Sequence, residues 1–147
     1  MSYTLQAFIA DTQLMNGSTV ADAPVRPLHG SLAILPLVRE IAMRFGIPSL
    51  PLTDEGFDAV PAICEVGGKL SKAGRVAYVE AEFFGGVGMQ ANCLFENGVL
   101  VSRPTVHANA INEALKFLGV EIAGAFDEFS TVGLWRHRST DGWLDLP

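Results

Sequence analysis

Cysteine, histidine and positive charge are all scarce in this chain, and each scarcity removes a class of function. Only two cysteines, Cys64 and Cys93, occur among 147 residues. They form neither a disulfide framework nor a C-x-x-C metal pair, and their apolar neighbours predict buried free thiols. The three histidines, His29, His107 and His137, share no metal-ligand spacing, so neither a metal nor another cofactor is expected. Lys and Arg number 10 against 16 Asp and Glu, giving a formal net charge of -6. An acidic chain has no long-range attraction for nucleic acid or an anionic membrane, and neither is expected as a partner. No apolar run approaches the ~20 residues of a membrane span, and the first residues lack the basic start of a signal peptide. A cytoplasmic protein with reduced thiols is the expectation.

Charged residues of all kinds make up only 18% of the chain, whereas 49% are apolar. Residues 1–147 fit a single domain large enough to bury its own core. So low a charge fraction implies a large core or a partly apolar outer surface, and the second suits a partner interface.

The β-prone residues 2–10 predict an N-terminal strand, followed by a long loop over residues 11–30. Residues 31–35 read as a short buried strand. Pro36 then suits the first turn of a helix in which Leu37, Ile41 and Phe45 recur at fourfold spacing, with Gly46 as its end. A second helix is expected from Val60, with Pro61 in its first turn and Val60, Cys64, Gly67 and Leu70 facing inward. The Gly67-Gly68 pair weakens that helix by roughly 1 kcal/mol per glycine, unless the backbone must approach a neighbour closely. Residues 75–101 predict three consecutive strands. A turn over Gly85-Gly86-Val87-Gly88 joins the first two, and Asn97-Gly98 is a type I′ signal that pairs Glu96 with Val99, Phe95 with Leu100 and Leu94 with Val101. Pro104 closes the third strand. A last helix, capped by His107 or Asn109, carries the stripe Ile111, Ala114, Leu115 and Leu118. The expected class is α+β, a largely antiparallel sheet of about five strands with about three helices packed on one face.

Candidate chemistry begins at Glu80 and Glu82. Two apart on a strand, they share a face with Cβ atoms about 6.5–7 Å apart. Such a pair can divide acid and base roles, or form an acidic patch. The glycines at 85–88 lead into a strand and carry no nearby lysine, so they read as a turn rather than a phosphate cradle. Arg136-His137-Arg138 is the densest basic cluster. With Ser139, Thr140 and Asp141 it is read as an anion site, or as a tie from the C-terminal segment to Asp127, Glu128, Glu80 or Glu82. Trp135 and Trp143 flank it and are of the type enriched at interface hot spots.

The runs 83–90 and 127–138 are similar to stretches of small bacterial proteins, a likeness that carries no activity. In size, acidity and lack of catalytic motifs the chain resembles immunity proteins of bacterial toxin pairs, which implies inhibition of a toxin or enzyme. The leading expectation is therefore an acidic protein-binding module with a basic protein partner. Its contact face is Tyr78, Glu80, Glu82, Gln90 and Asn92, with Trp135 and Trp143 as anchors and Arg136, His137 and Arg138 beside them. The alternatives are a small enzyme using Glu80 and Glu82 with Arg136 and His137, and a homo-oligomeric structural module.

Overall fold

A computed structural model of the chain describes residues 2–17, 23–54, 56–84 and 87–145. Its elements are β1 (Ser2–Asp11), α1 (Thr12–Asn16), β2 (Arg26–Pro27), β3 (Leu32–Pro36), α2 (Arg39–Phe45), α3 (Val60–Leu70), β4 (Arg75–Phe84), β5 (Val87–Glu96), β6 (Val99–Leu100), β7 (Thr105–Val106), α4 (Ala110–Phe117) and α5 (Glu128–Val132). Short 3-10 turns at Phe57–Ala59, Leu134–Arg136 and Asp141–Leu144 complete it. The sheet is antiparallel with order β2-β3-β1-β4-β5-β6, and β7 pairs with β5. The chain is thus α+β with an antiparallel sheet, as the hairpin signals predict.

The helices do not share one face. Phe8, Leu35, Tyr78, Cys93 and Phe95 form one core with Ile41 of α2 and with Ile63, Val66 and Leu70 of α3. Leu5, Ile9, Ile34, Ala77 and Val79 form a second core with Ile111 and Leu115 of α4, and with Val132, Leu134 and Trp143. The cause is legible in β1 and β4. Leu5 to Ala10 and Val76 to Ala81 are buried without interruption, a pattern that only a sheet covered on both faces satisfies.

Local signals place most boundaries. Gly46 ends α2 at φ 70°, where a left-handed residue is needed. The Asn97-Gly98 hairpin has the expected register: Glu96 pairs Val99, Phe95 pairs Leu100, and the Val101 N–H donates to the Leu94 carbonyl. Pro36, by contrast, is not helical. It pairs with Ala7 at the end of β3, the Leu37 N–H continues the ladder to the Gln6 carbonyl, and α2 starts only at Arg39. Strand pairing outcompetes the helix preference of proline because β1 offers a free edge there. Val87 and Gly88 pair with Phe84 and Phe83, so they belong to β5 rather than to a turn; Gly85 and Gly86 lie outside the described residues. The third strand is also split. Phe95 pairs Leu100 and Asn92 pairs Thr105, so residues 101–104 stand against only 93 and 94. The break falls at Pro104, which has no N–H for the ladder.

Helix α3 is continuous through Gly67-Gly68. Its inner face is Ile63, Val66, Gly67 and Leu70, while Val60 and Cys64 are only half-buried, so the helix is rotated from the expected face. Gly67 sets that rotation, since a Cβ there would stand 2.5 Å from the Phe95 ring. Gly67→Ala should therefore destabilise the fold by about 1–3 kcal/mol through overpacking, despite a helix-propensity gain of about 1 kcal/mol. Urea unfolding of the variant checks this, and an unchanged or higher midpoint would refute the close contact.

Candidate functional site

Pairing β4 with β5 sets Tyr78 opposite Cys93 and Glu80 opposite Ala91, whereas Asn92 faces Val79 and Gln90 faces Ala81. Paired residues share a face, so Tyr78, Glu80 and Glu82 lie on one side of the sheet and Gln90 and Asn92 on the other. The contact face expected from the sequence is not formed. Gln90 and Asn92 serve α4 instead. The Ile111 N–H donates to Gln90 Oε1 at 2.8 Å, and Asn92 Nδ2 donates to the Ala110 carbonyl at 2.8 Å. Gln90 thus caps the helix from a neighbouring strand, while Asn109, at the cap position, makes no side-chain bond to the helix backbone.

Glu80 is not a surface carboxylate. It and Tyr78 are 0% exposed, so neither presents an atom at the surface of this fold. The Tyr78 hydroxyl donates to Glu80 Oε2 at 2.5 Å, and the backbone N–H groups of Leu52 and Thr53 donate to Oε2 and Oε1 at 3.1 and 2.9 Å. Gln6, opposite Glu80 on β1, extends the chain: its Nε2 donates to the Tyr78 hydroxyl at 3.0 Å and to the Pro48 carbonyl at 2.9 Å, and its Oε1 accepts from the Leu50 N–H at 3.3 Å. The network clamps residues 48–53, including Leu50 at φ 44°. Burial raises the Glu80 pKa against the lowering pull of its donors, and burial next to Glu80 holds the Tyr78 hydroxyl well above its ordinary value. Glu82, half-buried farther along the strand, takes no part in the clamp.

The clamp floors a cleft of about 530 Å³ between α2, residues 47–50 and the C-terminal segment 139–141. The cleft exists because β3 leaves β1 after Pro36, exposing the β1 edge from Thr4 to Gln6. The C-terminal segment closes part of that edge: the Thr4 N–H donates to the Arg138 carbonyl at 2.9 Å, and the Gln6 N–H donates to Thr140 Oγ1 at 3.0 Å. Leu37, Val38, Ala42, Met43, Ile47 and Leu50 supply apolar walls, with Arg39 and Asp141 as the charged lining residues. Among the cleft residues only Ser139, Thr140 and Asp141 figured in a sequence-derived candidate, the anion site beside the basic cluster. Gln6 did carry a signal, as the one amide in the apolar run 5–10.

Arg136 and His137 lie against Trp143, in the core on the other face of the sheet from Tyr78 and Glu80, so the two carboxylates and Arg136 or His137 do not converge. Arg136 does not pair with the acids expected to hold it. Its Nε and Nη2 donate to the Gly133 and Pro27 carbonyls at 3.1 and 3.0 Å, and its guanidinium lies 5.2 Å from the Trp143 ring centre. His137 meets the same ring edge-on at 4.6 Å. Trp143 is therefore a core residue and no anchor for a partner. Asp127 caps α5 instead, accepting from the Ser130 N–H at 2.8 Å and from Asn112 Nδ2 at 3.2 Å. Partial burial pushes its pKa up, but the Ser130 and Asn112 hydrogen bonds outweigh this and leave it lowered. Glu128 lies 3.9 Å from Lys116.

Trp135 differs from Trp143: it is 57% exposed, and its indole N–H donates to the Ser130 carbonyl at 3.3 Å. Phe126, 92% exposed, and Ile122 precede the same short helix. Cys93 is buried, which pushes its thiol up to about 12; Cys64 is half-buried and also free. Among the described residues no group of three His, Cys, Asp or Glu side chains could hold a metal, and no helix is long and apolar enough to cross a membrane.

Glu80→Gln places an amide N–H₂ against a backbone N–H or the Tyr78 hydroxyl, and should cost about 1–3 kcal/mol of stability. A carboxyl whose folded pKa is raised stabilises the fold most below its unfolded pKa, and loses that contribution as pH rises through the folded pKa. The stability advantage of the parent over Glu80→Gln should accordingly shrink as pH rises above the ordinary carboxylate range. Urea titrations at several pH values give this difference, and a flat or rising difference would contradict a desolvated Glu80.

Compared with protein-family models, curated proteins and solved structures, the chain finds no match in any of the three.

Proposed function

We propose that the chain is an acidic protein-binding module, acting in the cytoplasm as an immunity-type inhibitor that covers a basic surface on its partner. The observation that carries this reading is the pair of aromatics flanking α5. Phe126 is 92% exposed and Trp135 57% exposed, on a segment that is otherwise tied down. Asp127 caps α5, the Phe129 N–H donates to Asn112 Oδ1 at 2.9 Å, and the Ala123 N–H donates to the Thr131 hydroxyl at 3.3 Å. Exposed aromatics bury large area on binding, which is why such residues dominate interface energetics. The excess of acidic over basic residues would draw a cationic partner toward the chain as a whole.

The acidic face first expected around Glu80 does not support the reading, because that carboxylate is buried. Exposed Glu121, near Ile122 and Phe126 in the chain, supplies charge instead. The enzyme alternative has no such support, since its proposed acids and bases lie on opposite faces of the sheet.

Affinity capture of the tagged chain from its own cells tests the proposal. The intact chain should retain a basic protein in a salt-sensitive manner. A Phe126→Ala, Trp135→Ala variant should lose roughly 2–4 kcal/mol of that binding, as removal of central anchors does. Equal retention by the variant, with an unchanged melting temperature, would overturn the assignment of this surface.

A further inference from the structure

We propose that the cleft between α2 and the C-terminal segment is a second site, which binds a small zwitterion with an apolar body: a hydrophobic amino acid or a short peptide of such residues. The volume of about 530 Å³ lies within the range of small-molecule pockets. Its walls are chiefly apolar, and they meet a floor that cannot rearrange cheaply. Both amide hydrogens of Gln6 are committed, to Pro48 and to Tyr78, and its oxygen holds Leu50. The clamp on Glu80 fixes the adjoining turn. A preformed apolar pocket with a few fixed polar groups is the arrangement that small ligands require.

The charges of the lining select among apolar ligands. Arg39 comes from the first turn of α2 and Asp141 from the C-terminal wall, so the cleft presents one cation and one anion from separate elements. Neither side chain forms an ion pair or side-chain hydrogen bond among the described residues, so the two charges are not matched to each other. A purely apolar ligand would leave both charges unpaired while stripping some of their water. A fatty acid would answer Arg39 but bring its negative charge toward Asp141. A molecule carrying a carboxylate and an ammonium answers both: the carboxylate takes the guanidinium fork, the ammonium takes the Asp141 carboxylate, and the side chain lies against Leu37, Met43 and Leu50.

Calorimetric titration of the full chain with L-leucine and L-leucyl-L-leucine tests this. Two control probes each lack one charge: leucine methyl ester, and 4-methylpentanoate. Saturable binding of leucine or of the dipeptide is expected, and which of the two binds tighter tells a free amino acid from a peptide as the natural occupant. Arg39→Gln and Asp141→Asn should each weaken it about ten- to a hundredfold, the usual effect of losing a charge-assisted hydrogen bond. The ester should suffer as Arg39→Gln does, and the pentanoate as Asp141→Asn does. Both residues are exposed, so both variants should keep the parent circular dichroism and melting temperature. Absence of saturable binding by both zwitterions at millimolar concentration would overturn the proposal. So would binding of leucine by either variant as tight as by the parent chain, or binding of the singly charged probes as tight as that of leucine.

Discussion

A carboxylate buried between a sheet and a loop is the constraint on which the organisation of this molecule depends. Glu80 sits in the middle of β4, a strand covered on both faces, where an unsatisfied charge would cost several kcal/mol. Two backbone N–H groups, one tyrosine hydroxyl and, through that hydroxyl, one glutamine amide answer it. Each of those donors is thereby fixed in turn. The loop after α2 cannot leave the sheet, β1 and β4 are cross-linked through their side chains as well as their backbones, and the floor of the cleft is set.

The same arrangement explains how a cleft opens beside β1. Strand β3 follows β1 only to Pro36, and the ladder ends one residue later at Leu37. Beyond that point α2 swings away, and the vacated edge is partly closed by the C-terminal segment through Arg138 and Thr140. That segment is itself held by core burial of Trp143, which Arg136 covers and His137 meets edge-on. The basic cluster that stood out in the sequence is therefore chiefly a fastening for the last segment. The exposed aromatics flanking α5 and the cleft are separate surfaces, and the elements beside them are held for different physical reasons: helix capping in one case, the buried clamp in the other.

Much of the backbone was legible from local chemistry. Asn97-Gly98 dictates a two-residue turn and hence the register of the β5–β6 hairpin, because few residues adopt positive φ without strain. Gly46 marks the end of α2 for the same reason, and the apolar stripe of α4 follows from helical spacing alone. The misreadings share a cause. Pro36 and the rotation of α3 depend on which element lies alongside, and no local signal encodes that neighbour.

For the candidate sites the division is sharper. The sequence by itself determined that the chain is acidic and sparing in charge, that it forms hairpins after residue 75, and that Glu80 and Glu82 point to one side of a strand. These follow from composition and from the twofold period of a strand, which are properties of the chain before it packs. Only the tertiary structure decided that this side is covered, turning Glu80 from a surface acid into a buried clamp. It also decided that Gln90 and Asn92 face the other way to hold α4, that Trp143 is core while Trp135 and Phe126 are exposed, and that Arg39 and Asp141, distant in sequence, line one cleft. Burial and convergence are relations between segments far apart in the chain, so they exist only once those segments are packed together.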